Sequence, residues 1–170
     1  MNIRNLTLHH CMIRIALSLF IASFLVFSPT SLAAHPKGQS TSDADYQKLI
    51  LQYVNEYRLK HHLAPLTMNS LVSLEAKKHS QAMANKAVPF GHQYFDARIH
   101  RLYKDIKNCH AGAENVAYYK LDAKKLVDAW IASPGHRRNI KGNYNLTGIG
   151  IAHSKQGWAY YTQIFLRADV

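Results

Sequence analysis

Cysteine is almost missing from this chain: its 170 residues include only Cys11 and Cys109. That excludes a disulfide-rich scaffold. Acidic residues are also scarce, 10 against 21 Lys+Arg, for a formal charge of +11 with histidine neutral. Charged residues make up only 18% of the chain, while 48% is hydrophobic and 11% aromatic. A disordered chain has the opposite balance, so a packed globule is expected, and the length allows one domain of ordinary size. No motif repeats, which excludes a solenoid. Long apolar runs are lacking too. The best, Ile15 to Phe27, carries no charge. As a helix it would cover roughly 20 Å, short of the roughly 30 Å hydrocarbon core of a bilayer.

That run has a different reading. Arg4 and Arg14 precede it and Ser31-Leu32-Ala33 follows, with small residues where signal peptidase requires them; Leu32-Ala33-Ala34 is a neighbouring choice. Residues 1–34 are therefore expected to be a signal peptide cleaved near Ala33 or Ala34, the alternative being an uncleaved anchor. The mature protein would be secreted or periplasmic, with a flexible leader at 35–45, a domain at 46–170 and no transmembrane span. Cleavage would remove Arg4, Arg14 and Cys11, leaving 136 residues, a formal charge of +9 and Cys109 alone. An internal disulfide is then impossible, so a core or a bound ligand must supply stability. The positive charge favours an anionic envelope polymer or membrane surface as partner. It is spread without a Lys/Arg block, which gives a nucleic-acid role little support.

Apolar spacing predicts the elements. A helix starts near Ser42 or Asp43 and carries Tyr46, Leu49, Ile50, Tyr53, Val54 and Tyr57 on one face. Asn69-Ser70 caps a second helix from Leu71 to Lys86, with Leu71, Leu74, Ala82 and Met83 as inward candidates. A third holds Ile99, Leu102, Tyr103 and Ile106. Asp122 caps a fourth with Leu126, Val127, Trp130 and Ile131, which Pro134-Gly135 stops. The period then changes to two. Thr147, Ile149 and Ile151 alternate with glycines, Ser154-Lys155-Gln156-Gly157 reads as a hairpin turn, and Trp158 to Leu166 returns as a strand. Helices followed by a hairpin indicate an α+β fold.

Three segments bring titratable side chains to element ends: Phe90-Gly91-His92, Ala113-Glu114-Asn115-Val116-Ala117, and Ser133-Pro134-Gly135-His136-Arg137-Arg138-Asn139. Two histidines and a carboxylate are a ligand set for zinc or a similar divalent metal. Their wide separation excludes a local helical HExxH site. The alternative is that the histidines satisfy structural hydrogen bonds. Asn115 is expected to tie its loop to nearby backbone, and Thr162 and Gln163 to complete bonds within the sheet. Trp130 and Trp158 are read as core or cleft walls. His61, His62, His79, His100, His110 and His153 are read as solvated.

The opening helix LILQYVNEYR, the FGH turn, AENVA, WIASPGHRRN and the closing YYTQIF occur in an order that resembles bacterial members of the CAP superfamily (cysteine-rich secretory proteins, antigen 5 and pathogenesis-related proteins). The resemblance runs from about Tyr46 to Leu166. It implies an α-β-α sandwich in which helices flank a central antiparallel sheet. It also implies a cleft holding two histidines and two glutamates that can bind a divalent metal. His92 matches the first histidine and Glu114 the first glutamate. Ser133 stands at the second glutamate's place and Tyr160 at the second histidine's, so two of the four positions are changed. His136 is a candidate to replace the missing imidazole, giving His92, Glu114 and His136 as the metal set and Tyr160 and Ser133 as cleft lining.

Three functions follow as expectations. The first is a non-enzymatic extracytoplasmic binding module for a divalent metal, a lipid or another small envelope-derived ligand. The second is a secreted hydrolase or peptidase using Glu114, His136 and Ser133, although no nucleophile-elbow motif surrounds Ser133. The third is a basic adhesin that holds an anionic polymer through its surface.

Overall fold

The structure is a computed structural model that describes residues 41–120 and 122–169; the expected signal peptide and most of the leader lie outside the described residues. Nine elements follow in order: α1 (Asp43–Lys60), β1 (Thr67–Met68), α2 (Ser70–Ala84), α3 (Phe95–Asp105), β2 (Cys109–Tyr119), α4 (Ala123–Ala132), α5 (Pro134–Ile140), β3 (Leu146–His153) and β4 (Ala159–Ala168). Three of the helix starts rest on side-chain caps. Ser42 accepts from Asp45 N, Asn69 from Leu71 N and Val72 N, and Asp122 from Lys125 N. Each satisfies backbone donors that the first helical turn leaves without partners.

The four strands lie in the order β1-β3-β4-β2. The β3–β4 hairpin and the β2–β4 pair are antiparallel, and the two-residue β1 adds a parallel edge beside β3. Alternation divides the sheet into two faces. One face carries Ala117, Ile149, Ile151, Tyr161 and Phe165 and is covered by Ile50 and Val54 of α1, Leu126, Val127 and Trp130 of α4, and Ile140 of α5. The other carries Ile164 and Leu166 under Val72 and Ala76 of α2 and Ile99 and Leu102 of α3. The molecule is therefore an α-β-α sandwich of the α+β class.

β1, β2 and α5 are not among the expected elements, and α2 and the end of α4 differ from expectation. The face of α2 is rotated at its start: Met83 is buried as expected, but Leu71 and Leu74 are exposed, and the helix buries Val72, Glu75, Ala76, His79 and Ser80 in their place. The cause is in β3. A Cβ at Gly148 would lie 2.2 Å from Ser73 N, and one at Gly150 2.2 Å from the Ala76 carbonyl carbon. The helix backbone rests directly on the glycines, so its small residues face inward and its leucines face out. Pro134 stops α4, as expected, but also opens α5 as its first-turn residue. Proline suits that position, where the missing N–H has no partner to lose.

Arg58 joins the two halves of the chain. Its buried guanidinium donates to the carbonyls of Ala64 (2.8 Å), Ile140 (2.7 Å), Gly142 (3.0 Å) and Tyr144 (3.1 Å). These fix the ends of α1 and α5 and the approach to β3.

Candidate functional site

The candidate residues gather along β2, an outer strand of the sheet. Register places Glu114 opposite Ile164 and Tyr118 opposite Tyr160. Glu114 therefore lies on the face covered by α2 and α3. It is only 5% exposed. Its carboxylate is taken by Arg98 of α3, whose Nε donates to Oε2 at 2.9 Å and whose Nη2 donates to Oε1 at 2.7 Å. Arg98 Nη1 also donates to the Gln93 carbonyl. A forked, charge-assisted pair of this kind is among the stronger polar contacts a protein makes.

The Phe90-Gly91-His92 turn comes over this pair from the end of α2. Gly91 has φ +143°, a conformation that L side chains rarely adopt. Its carbonyl accepts from His79 Nε2 at 2.8 Å. His92 Nδ1 lies 2.9 Å from Glu114 Oε1. With Glu114 ionised, Nδ1 carries the proton and donates, and Nε2 of this half-exposed ring has no hydrogen-bond partner among the described residues.

Burial by itself pushes the Glu114 carboxyl up. The hydrogen bonds from His92 and Arg98 and the Arg98 charge outweigh it and hold the group below its ordinary 4.5. His79 moves down from 6.5, first through burial and further through the Arg98 charge, against the pull of the Gly91 carbonyl and Glu114. Contrary to expectation, His79 is not solvated. It lies under the turn, 3.9 Å from Glu114.

On the far side, Asn139 of α5 donates to the Glu114 carbonyl (3.0 Å) and to Asn115 Oδ1 (2.9 Å), and Asn115 Nδ2 donates to the His136 carbonyl (3.2 Å). The AENVA and GHRRN motifs thus lock together, with Asn115 tying down backbone as expected. His136 faces His92 across a groove of about 610 Å³ whose walls include Phe90, Val116, Tyr118 and Trp158. Burial and the His92 charge both lower the His136 pKa from 6.5.

His92 and Glu114 are thus joined directly, and His136 shares the His92 groove. Tyr160 reaches the same wall through Phe90, with ring centroids 6.5 Å apart. Ser133 is the junction of α4 and α5, and its carbonyl accepts from Arg137 N. Among the described residues, no hydroxyl or thiol hydrogen-bonds His92 or His136. Trp130 is core and Trp158 is cleft wall. Thr162 accepts from Ser80 of α2, and Gln163 donates to Thr147 of β3.

His92, Glu114 and His136 are the donors that a divalent metal would have here. Both Glu114 oxygens already accept from Arg98, and a dication beside them would meet a guanidinium that has no other carboxylate partner among the described residues. Sequence reasoning missed Arg98 and His79. Each signalled itself as a polar residue inside an apolar stripe, Arg98 four before Leu102 and His79 three after Ala76.

Comparison with known proteins supports the same fold. The model of the cysteine-rich secretory protein family, CAP, matches residues 51–165. The chain is 30% identical over 128 residues to the uncharacterized protein YkwD of Bacillus subtilis (strain 168), covering 74% of this chain and 49% of that protein. It is 31% identical over 134 residues to the uncharacterized membrane protein YlbC of the same organism, covering 77% and 36%. The chain thus spans about half or less of these relatives. Among solved structures, an outer surface protein of Borrelia burgdorferi superposes with TM-score 0.66 at 18% identity, covering 78% of this chain and 99% of that one. An extracellular protein containing an SCP domain from Bacillus anthracis gives 0.61 at 24%, covering 73% and 41%. At these identities the likeness concerns the fold alone. With the family match spanning most of the chain, the protein belongs to the CAP superfamily as a bacterial-type member.

Proposed function

We propose that this protein is an extracytoplasmic binding module that holds a small envelope-derived ligand, without covalent chemistry, in the groove between the Phe90-Gly91-His92 turn and α5. The observation that carries this reading is the state of Glu114. A carboxylate forked by Arg98 and capped by His92 is neutralised and immobile, so it is a poor general base and a poor metal ligand. It serves instead to hold His92 at the lip of the groove. Export is supported by the apolar run at 15–27 with its small-residue cleavage site. No helix among the described residues is long and apolar enough to cross a membrane. The Bacillus anthracis structural neighbour is described as extracellular.

One observation favours hydrolysis: a carboxylate-held imidazole whose Nε2 has no partner among the described residues is half of an acid–base relay. Ser133 supplies no second half, because it bonds neither histidine. Mixed peptide and ester substrates incubated with wild type and Glu114→Gln decide between the readings. No turnover by either protein is expected; turnover in wild type that the substitution abolishes overturns the binding role. Amino-terminal sequencing of the protein recovered outside the cytoplasm is expected to begin at Ala34 or His35. An intact amino terminus there, or retention in the cytoplasm, overturns export by cleavage.

A further inference from the structure

At the mouth of the groove is a cluster of rings that the sequence scatters over three segments. Tyr118 is its centre. Its ring centroid lies 4.9 Å from Phe90, 5.6 Å from Tyr160, 5.6 Å from Trp158 and 6.2 Å from Tyr119. Tyr160 occupies the place at which the family resemblance implies a histidine, and here it stacks on Tyr118 at 21°. Apolar rings normally gain by leaving water, yet Phe90 is 48% exposed, Tyr118 44%, Trp158 41% and Tyr119 40%. Four large exposed aromatics in one place form a patch of the kind that marks a binding surface.

The patch is not uniformly greasy, and that decides what it fits. Tyrosine hydroxyls interrupt it, His92 and His136 border it, and Lys120 Nζ sits 5.2 Å over the Trp158 ring. An acyl chain has no use for these polar groups and gains most in an enclosed slot, not on open rings. A single-stranded nucleic acid needs a track of cations for its phosphates, and among the described residues Lys120 is the one cation stacked over a ring of this cluster. A sugar strand has the matching two-sided character. Each β-linked pyranose presents a flat face of C–H bonds to an aromatic ring and a rim of hydroxyls to hydrogen-bonding groups. An N-acetyl group adds a methyl for the rings and an amide for the imidazoles and phenols.

We infer that the Phe90, Tyr118, Tyr160 and Trp158 platform binds a strand of β-linked, N-acetylated sugars, running into the groove between His92 and His136. This rests on the proposed binding role and names the ligand class of the same groove.

Titration of the purified full-length chain with a hexamer of β-linked N-acetylglucosamine, followed by calorimetry and tryptophan fluorescence, tests it. Saturable binding is expected, little changed by salt and weakened about tenfold or more by Trp158→Ala and by Tyr118→Leu. Tyr118→Leu keeps apolar bulk, and unchanged far-UV circular dichroism certifies that both variants are folded. Failure of the hexamer to bind the wild-type chain overturns the inference, as does binding that both variants retain in full. Oleate vesicles and a thymidine oligonucleotide are the other arms. If either binds in place of the sugar and the same substitutions weaken it, the sugar assignment falls while the groove keeps its binding role. If nothing binds, both readings fall.

Discussion

Arg98 and Glu114 neutralise each other in the interior, with His92 adding a bond to the carboxylate and the Gln93 carbonyl one to the guanidinium. Removing one partner leaves the other charged and dry, which costs about 3–5 kcal/mol, whereas replacing both with apolar groups is often near neutral. Arg98→Met is therefore expected to lower the unfolding free energy by about that amount, and Arg98→Met with Glu114→Leu to recover most of it. Denaturant titration of the wild type, both single variants and the double variant checks this; strictly additive losses would show that the pair is not coupled. His79 and Glu114 act in different pH windows. His79 is held below 6.5, chiefly by burial, so the unfolded chain takes up a proton that the folded ring refuses. Its contribution is complete above 6.5 and is lost as the pH falls through its lower folded value. Glu114 is held below 4.5, so its contribution is lost only in stronger acid. Urea midpoints between about pH 8 and about pH 5 are thus expected to decline less steeply in His79→Gln than in wild type. Identical slopes would count against a neutral buried His79. The linear pattern singles out Glu114 and sets Arg98 and His79 as polar residues in apolar stripes, but it does not show which groups pair. Arg98 and Glu114 are sixteen residues apart, on a helix and a strand, and nothing local announces that they meet.

Among the elements, legibility followed local signal. α1 and α4 have apolar stripes and capping side chains at their starts, and the β3–β4 hairpin has clean alternation with a turn between. Those were readable. β2 was not, because CHAGAENVAYY mixes glycine, glutamate and asparagine into a strand and contains one β-branched residue. Its strand character comes from pairing with β4 along nearly its whole length, a tertiary cause that propensity does not carry. The rotated face of α2 has the same origin, since it is β3 that decides which side of the helix is close-packed. Gly150→Ala is accordingly expected to be severe. The new Cβ would meet helix backbone at 2.2 Å, and backbone cannot swing aside as a side chain can. A loss of about 3 kcal/mol or more is expected, at the upper end for overpacking. Ser80→Ala at the same interface removes bonds to the Gly150 carbonyl (3.0 Å) and Thr162 Oγ1 (2.8 Å). About 1–2 kcal/mol is expected there. Thermal unfolding of the two variants checks the order, and a Gly150→Ala protein as stable as Ser80→Ala would refute the direct backbone contact.

At the scale of the whole molecule, the family sandwich was legible from five motifs in order, but what holds its two ends together was not. In the sequence nothing distinguishes Arg58 from the chain's other cations. In the fold it is 2% exposed and its donors reach four carbonyls, with no carboxylate partner among the described residues. Burial lowers its pKa, yet a guanidinium stays charged throughout the ordinary range. Among the described residues the partners of this charge are thus backbone dipoles, from the Ala64 loop, the end of α5 and the approach to β3. Lysine has three donors in a different geometry and a more tightly held hydration shell, so it cannot reproduce the planar fork. Arg58→Lys is expected to cost about 2–4 kcal/mol, within the range for an incompletely satisfied buried charge. The position of that loss is as informative as its size. Arg58 meets α5 at its last residue, Ile140, while His136 and Asn139 of the same short helix border the groove and tie to β2. Loosening one end should free the other. Amide exchange in Arg58→Lys is expected to quicken across residues 136–144 while α2 and the β3–β4 hairpin keep their protection. Uniform quickening over the whole chain would make Arg58 a contributor to global stability alone, and would remove α5 as a mechanical link between the core and the groove.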